Sequence, residues 1–352
     1  MTEPTPVNLI TGFLGSGKTS LLQRLLSDPA LADTAVLINE FGEVGLDHHL
    51  LERIDDTMVL LQSGCLCCTI RGELSAAIKD LHSKRERGIV PAFRRLVVES
   101  TGLADPFPIL STVQADPVLK HHFRLGNVIT TVDAVNGEAQ LARRAESVKQ
   151  IAVADRLVLT KTDLAEAGAV DALVAHIRRL NPAAPLWRAA EGSLEAEALL
   201  SHDLFALAGK SDQARRWFAA EVDAQPTHHH DHEGNRHDAN RHGNSIHAFS
   251  LTFDGALDWT MFGIWLSMLL HRHGPAVLRV KGILNVAGSA TPVAVHGVQH
   301  LVHPPIHMAA WPDGDRRSRL VFIVDGLGRE LIERSLMAFL RFTAPVKTAA
   351  VA

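Results

Sequence analysis

The chain has 352 residues, 46% of them hydrophobic, which excludes a peptide scaffold and a disordered chain and suggests two domains. With 35 Lys plus Arg against 39 Asp plus Glu the formal charge is −4, and no basic arm or stripe offers itself to nucleic acid phosphates. The opening Met1-Thr2-Glu3 lacks the basic segment of a secretory signal and the longest apolar-looking run, 261–270, is too short to cross a bilayer, so a cytoplasmic protein with no membrane or nucleic acid partner is expected.

In chain order, strands are predicted over 7–10, 35–39, 58–61, 95–98, 127–132 and 156–159, with a shorter one near 185–188. Helical spacing fills 20–26, 72–84 and 170–180 between them. Several of these strands are nearly continuous apolar runs, as strands buried on both faces must be. The alternation predicts a doubly wound, mostly parallel α/β domain over residues 1–202. From 203 to 246 the apolar periodicity fades into a His-rich segment read as a linker or loop. A small α+β domain over 247–345 follows, with strands at 247–253, 277–284, 293–301 and 320–324 and helices at 259–271 and 329–342.

Directly after the first strand stands Gly12-Phe13-Leu14-Gly15-Ser16-Gly17-Lys18-Thr19, followed by a helical run. Glycines let the backbone curl so that successive N–H groups face a phosphate, and the positive end of the helix adds to that field. Between a strand and a helix this pattern is a P-loop rather than a chance Gly-rich turn, so the fold is of the P-loop NTPase type. Lys18 then reaches the β- and γ-phosphates, and the Thr19 hydroxyl ligates Mg²⁺.

The strand at 95–98 runs into Glu99-Ser100-Thr101-Gly102. Glu99 would act on the magnesium through water and the Gly102 N–H would sense the γ-phosphate; the plainer alternative for Glu99 is a strand-end carboxylate capping the next segment. After the strand at 156–159 comes Thr160-Lys161-Thr162-Asp163. Asp163 can accept from the ring N–H and exocyclic amine of guanine, a donor pair adenine lacks, while the Lys161 stem lies over the base. GTP is therefore favoured over ATP.

All three cysteines fall in Cys65-Leu66-Cys67-Cys68. No disulfide framework can be built from them, and clustered thiolates near a helix start favour Zn²⁺ or another thiophilic ion over small buried cysteines packing a strand end. A second concentration of soft ligands is His228, His229, His230 and His232, with His237 and His242, which gathers metal weakly or is a solvated spacer. His303 and His307 read as packing or surface residues.

Taken together, residues 12–19, Asn39-Glu40-Phe41-Gly42-Glu43-Val44-Gly45-Leu46-Asp47, Gly64-Cys65-Leu66-Cys67-Cys68, 99–102, 160–163 and Arg279-Val280-Lys281-Gly282 resemble the CobW family of G3E GTPases, over nearly the whole chain. The resemblance implies a GTPase domain, a C-terminal CobW domain and GTP-controlled metal delivery to a client metalloprotein. It gives the metal-site role to Cys65, Cys67 and Cys68, and it puts Glu40 and Asp47 in the switch segment, with Glu40 the candidate to orient the hydrolytic water. Thr160 departs from the Asn found at this position in many G proteins. Zinc is the first choice of cargo. Cobalt delivery for cobalamin biosynthesis and a nucleotide-gated metal store or sensor are the alternatives, and a homodimer is compatible with either. A small-molecule kinase would leave 160–163 and the thiols without a task.

Overall fold

Strand β1 (Thr5–Gly12) lies at the centre of a parallel sheet whose other members are β2 (Thr34–Ile38), β3 (Leu60–Gln62), β4 (Arg95–Glu99), β5 (Phe123–Asp133), β6 (Arg156–Thr160) and β7 (Leu186–Arg188). The computed structural model describes residues 3–38, 60–62, 70–190, 194, 196–200 and 245–341. The strand order is β3-β2-β4-β1-β5-β6-β7, with every neighbouring pair parallel. Strands β2 and β6 are buried along their whole length, as in Leu157, Val158 and Leu159 of β6, because helices cover the sheet.

Those helices are α1 (Lys18–Leu26), α2 (Ile70–Glu86), α3 (Pro106–Ala115), α4 (Pro117–His122), α5 (Gly137–Arg143), α6 (Ala145–Val153), α7 (Ala167–Leu180) and α8 (Ala196–Leu200). The chain leaves β1 toward β2 on one side of the sheet, and the path from β4 to β5 crosses to the other. The carboxyl end of β1 therefore lies at a topological switch point, where open α/β sheets bind their ligands.

Periodicity does not foretell α3, which is apolar nearly all round, with Ile109, Leu110, Ser111, Thr112 and Val113 buried in succession. Its start is set instead by Asp105, whose carboxylate accepts from the Phe107 N–H at 2.9 Å ahead of Pro106. Asp116 caps α4 in the same way.

The described residues fall into two units, and the second covers 245–341. Its strands are β8 (Ile246–Phe253), β9 (Val277–Leu284), β10 (Val293–Val298), β11 (Leu301–Val302), β12 (Ile306–His307) and β13 (Ser318–Asp325); its helices are α9 (Trp259–His273) and α10 (Arg329–Arg341). The antiparallel order is β11-β10-β9-β13-β8, with β12 also on β10. The single strand expected over 293–301 is two, β10 and β11, because Gln299 takes a left-handed φ of 51° and turns the chain into a hairpin.

Leu320, Phe322 and Val324 of β13 pack with Phe262, Trp265, Ile332 and Leu336 of the two helices. Alternate positions on neighbouring strands carry buried polar groups: Arg279 donates to His296 at 3.0 Å, His296 stacks on His303 with ring centroids 4.3 Å apart, and Arg319 forks onto Asp313 at 2.9 and 3.2 Å. His303 is thus a packing residue, and His307 is exposed. Among the described residues, no helix is long and apolar enough to cross a membrane.

Candidate functional site

The loop after β1 reaches helix α1 through Gly17, which takes a left-handed φ of 85° at the N-cap, a conformation that costs an L side chain about 1–2 kcal/mol. Gly12 is needed for another reason: a Cβ there would run into Thr131 and Ser16. The loop is held from three sides. Ser16 Oγ lies 2.6 Å from Thr131 Oγ1 at the end of β5. Thr160 Oγ1, at the end of β6, donates to Ser16 O at 2.8 Å and Val132 O at 3.2 Å. The Gly102 segment packs so closely that a Cβ on Gly102 would come within 2.5 Å of Leu14 N. Thr160 therefore ties the segment after β6 to the loop after β1 with a hydroxyl.

Lys18 is buried and its Nζ donates to Phe13 O at 3.2 Å, folding the cation over the loop. Thr19 Oγ1 donates to Glu99 Oε1 at 2.8 Å. Glu99 is itself only 4% exposed, at the end of β4, and Ser100 beside it bonds Thr11 Oγ1 at 2.9 Å. Lys18, Thr19, Glu99 and Ser100, with Leu14, Gly15, Gly17, Gly102 and Lys161, line a cleft of about 410 Å³. Lys18, Thr19, Glu99 and Gly102, singled out from the sequence, come together around one opening at the carboxyl edge of the sheet. Convergent N–H groups, a lysine and a hydroxyl–carboxylate pair suit a polyphosphate and a hard cation.

The base-side residues divide. Lys161 has a left-handed φ of 56° and its Nζ lies 2.7 Å from Asp133 Oδ2; it lines the same cleft as Lys18 and Thr19. Thr162 and Asp163 line a separate cleft of about 270 Å³ with Val170, Asp171, Arg188 and Ala190. Asp133 was not singled out from sequence, although the residue ending a parallel strand is where such sites are built; the strand runs one residue further than expected and ends on it. Burial pushes the Asp133 carboxyl up, but Lys161, the Asn136 side chain and the N–H groups of Val135 and Asn136 outweigh burial and hold it below its ordinary value. Thr131 is a second residue that sequence reasoning missed, for want of any local signal.

The predicted thiol ligands Cys65, Cys67 and Cys68, the switch residues Glu40 and Asp47, and His228, His229, His230, His232, His237 and His242 lie outside the described residues. Among the described residues, no group of three or more His, Cys, Asp or Glu could hold a metal ion.

The profile of the CobW/HypB/UreG nucleotide-binding domain matches residues 6–188, and that of the cobalamin synthesis protein CobW C-terminal domain matches 246–340. The zinc chaperone YjiA of Escherichia coli is 33% identical over 343 residues, which are 96% of this chain and 99% of that protein. The zinc chaperone CobW of Pseudomonas aeruginosa is 30% identical over 363 residues, covering 94% of this chain and 90% of the relative. Among solved structures, that of the Zn(II)-bound YjiA GTPase from E. coli matches with a TM-score of 0.69 and 30% identity, covering 97% of this chain and 100% of that one.

Proposed function

We propose a function from this premise: the chain belongs to the CobW family of P-loop GTPases. It is a GTP-dependent metallochaperone acting in the cytoplasm, and the metal it carries is zinc. The relatives named zinc chaperones, similar from end to end, support the cargo. What carries the nucleotide half is the wiring at one cleft, with Thr19 Oγ1 on Glu99 at 2.8 Å beside a buried Lys18 at the start of α1.

The loop N–H groups and Lys18 hold the β- and γ-phosphates, and Asp163 accepts from the guanine edge while Lys161, steadied by Asp133, lies against the base. Magnesium would be held by the Thr19 hydroxyl and, through water, by Glu99, two hard oxygen donors already within bonding distance of each other. When bound, it neutralises charge on the two terminal phosphates. Gly102, pressed against Leu14, is where arrival or loss of the γ-phosphate is felt.

Zinc, the cargo, binds the thiolates of Cys65, Cys67 and Cys68. GTP orders the switch segment that contains Glu40 and Asp47 and tightens the thiol site; hydrolysis, with Glu40 orienting the water, relaxes the site and the metal passes to a client metalloprotein. The His228–His232 segment gathers ions weakly. A hundredfold drop in affinity on hydrolysis corresponds to about 2.7 kcal/mol, within the usual range for coupled sites. Titrating Zn²⁺ into protein loaded with a non-hydrolysable GTP analogue and with GDP tests this. The reading requires tighter binding in the triphosphate state and loss of one bound zinc in Cys67→Ala. Equal affinities would remove the switch, and undiminished zinc in the variant would move the site off the thiols. Co²⁺ winning in competition would favour the cobalt alternative.

A further inference from the structure

Helix α6 packs behind the P-loop and carries Gln150, which is 1% exposed. Its side-chain amide Nε2 donates to two carbonyls of the γ-phosphate segment, Gly102 O at 3.2 Å and Ala104 O at 3.1 Å. Its backbone carbonyl accepts from Thr130 Oγ1 of β5 at 2.9 Å, so the base of the side chain is fixed to the sheet. The other end of the amide, Oε1, meets no hydrogen-bond partner among the described residues; neither does Ser147 Oγ, one turn earlier on the same helix. Both residues line a small cavity closed on the P-loop side by Phe13.

This asymmetry fixes which way the amide faces. Rotated by half a turn it would set Oε1 against two carbonyl oxygens, so the observed orientation is the one that the segment selects. In the segment 101–104, Thr101 O accepts from Ala104 N–H and from Ser100 Oγ, each at 3.2 Å, so its remaining carbonyl bonds lie at the Thr101 end, and it touches the P-loop through Gly102 and Leu14. Gln150 is thus a brace from the buried face of a helix to two carbonyls, of Gly102 and Ala104, in a loop whose amide is read against the nucleotide.

From this geometry we infer that Gln150 is a positioning residue for γ-phosphate recognition: it holds residues 102–104 in place against the P-loop, so that the triphosphate finds the Gly102 amide already set. The inference rests on the reading of Gly102 given above. Without the brace, the triphosphate must order the segment as it binds, whereas a diphosphate makes no use of it. The effect therefore falls on one nucleotide state, which loss of packing alone would not produce.

The test compares affinities for GDP and for a non-hydrolysable GTP analogue in Gln150→Met, which keeps the volume and removes the donor, in Ser147→Ala, which lines the same cavity without touching either carbonyl, and in Gly102→Ala. Gln150→Met should weaken the GTP analogue about tenfold, the loss of two neutral hydrogen bonds, and leave GDP unchanged; Ser147→Ala should leave both unchanged. Equal weakening of the two nucleotides, or none, overturns the inference. If Gly102→Ala shifts the GTP-to-GDP ratio while Gln150→Met does not, the brace fails and the reading of Gly102 stands. If the reverse holds, the brace stands and acts through another atom of the segment. In the wild type, slow solvent exchange of the Gln150 Nε2 protons with the GTP analogue bound reports the brace without substitution, and fast exchange there contradicts it.

Discussion

In the parallel sheet one set of buried polar side chains, Thr11, Glu99, Ser100, Thr131, Asp133 and Thr160, gathers at the carboxyl edges of four neighbouring strands, while Asn8, Asn127 and Thr130 lie within strands. In the antiparallel sheet Arg279 and Lys281 on β9 and His296 on β10 stand in mid-strand, and Arg319 lies at the start of β13. The difference follows from strand direction. Parallel strands all deliver their ends to one edge, so Ser16 meets Thr131 and Thr160 across 115 and 144 residues of sequence. Antiparallel strands deliver successive ends to opposite edges, and their polar groups bond across the face, as Arg279 does to His296. The first arrangement gathers polar groups around one mouth, and the second makes a filled interior.

If that contrast is right, substitution in the second unit should act mainly on stability. Trp265 is 2% exposed, packs edge-on to Phe322 and donates its Nε1–H to Ser335 Oγ at 3.0 Å. Trp265→Ala should cost about 3–5 kcal/mol, read as a lowered denaturant midpoint; a loss under 1 kcal/mol would mean that the aromatic cluster does not hold this sheet to its helices. At the mouth the balance should reverse. Lys18→Ala should lower single-turnover GTP hydrolysis by about 10²–10³, or 2.7–4 kcal/mol of barrier, with little change in the denaturation midpoint. A Lys18→Ala protein that unfolds easily but hydrolyses GTP at the wild-type rate would break the comparison outright.

The P-loop was legible because its signal is local, eight consecutive residues whose glycines serve backbone curvature and whose Lys and Thr begin a helix. Glu99 was legible for a related reason, since it follows directly on an apolar strand. Thr131, Asp133 and Gln150 were not, because their roles depend on which strands and helices become neighbours. Nothing around Gln150 distinguishes it from a solvated helix residue until α6 is placed behind Gly102. Helix α3 escaped periodicity for the opposite reason: with its faces all apolar there is no stripe to see. The β10–β11 hairpin turns at Gln299, without the Gly or Asn that usually announces a left-handed residue.

Asp133 offers the smallest and sharpest test of the mouth, because it is buried at the carboxyl edge and pairs with Lys161, which lines the cleft. Asp133→Asn keeps an oxygen to accept from the Val135 N–H, at 2.8 Å in the native protein, and removes the charge facing Lys161. Lys161 is partly exposed, so the pair is screened and the expected loss at pH 7 is about 0.5–1 kcal/mol. The sign of its pH dependence follows from a carboxyl held below its ordinary value in the folded chain. The stability this group contributes is present above its unfolded pKa of about 3.9 and is lost as pH falls through the lower folded value. Denaturation curves of wild type and variant should therefore be separated at pH 7 and converge in acid, where the wild-type carboxyl is protonated and equivalent to the amide. A gap that stays constant from neutral to acid pH would mean that the Asp133 charge contributes nothing, and that Lys161 is held at the mouth by its left-handed backbone alone.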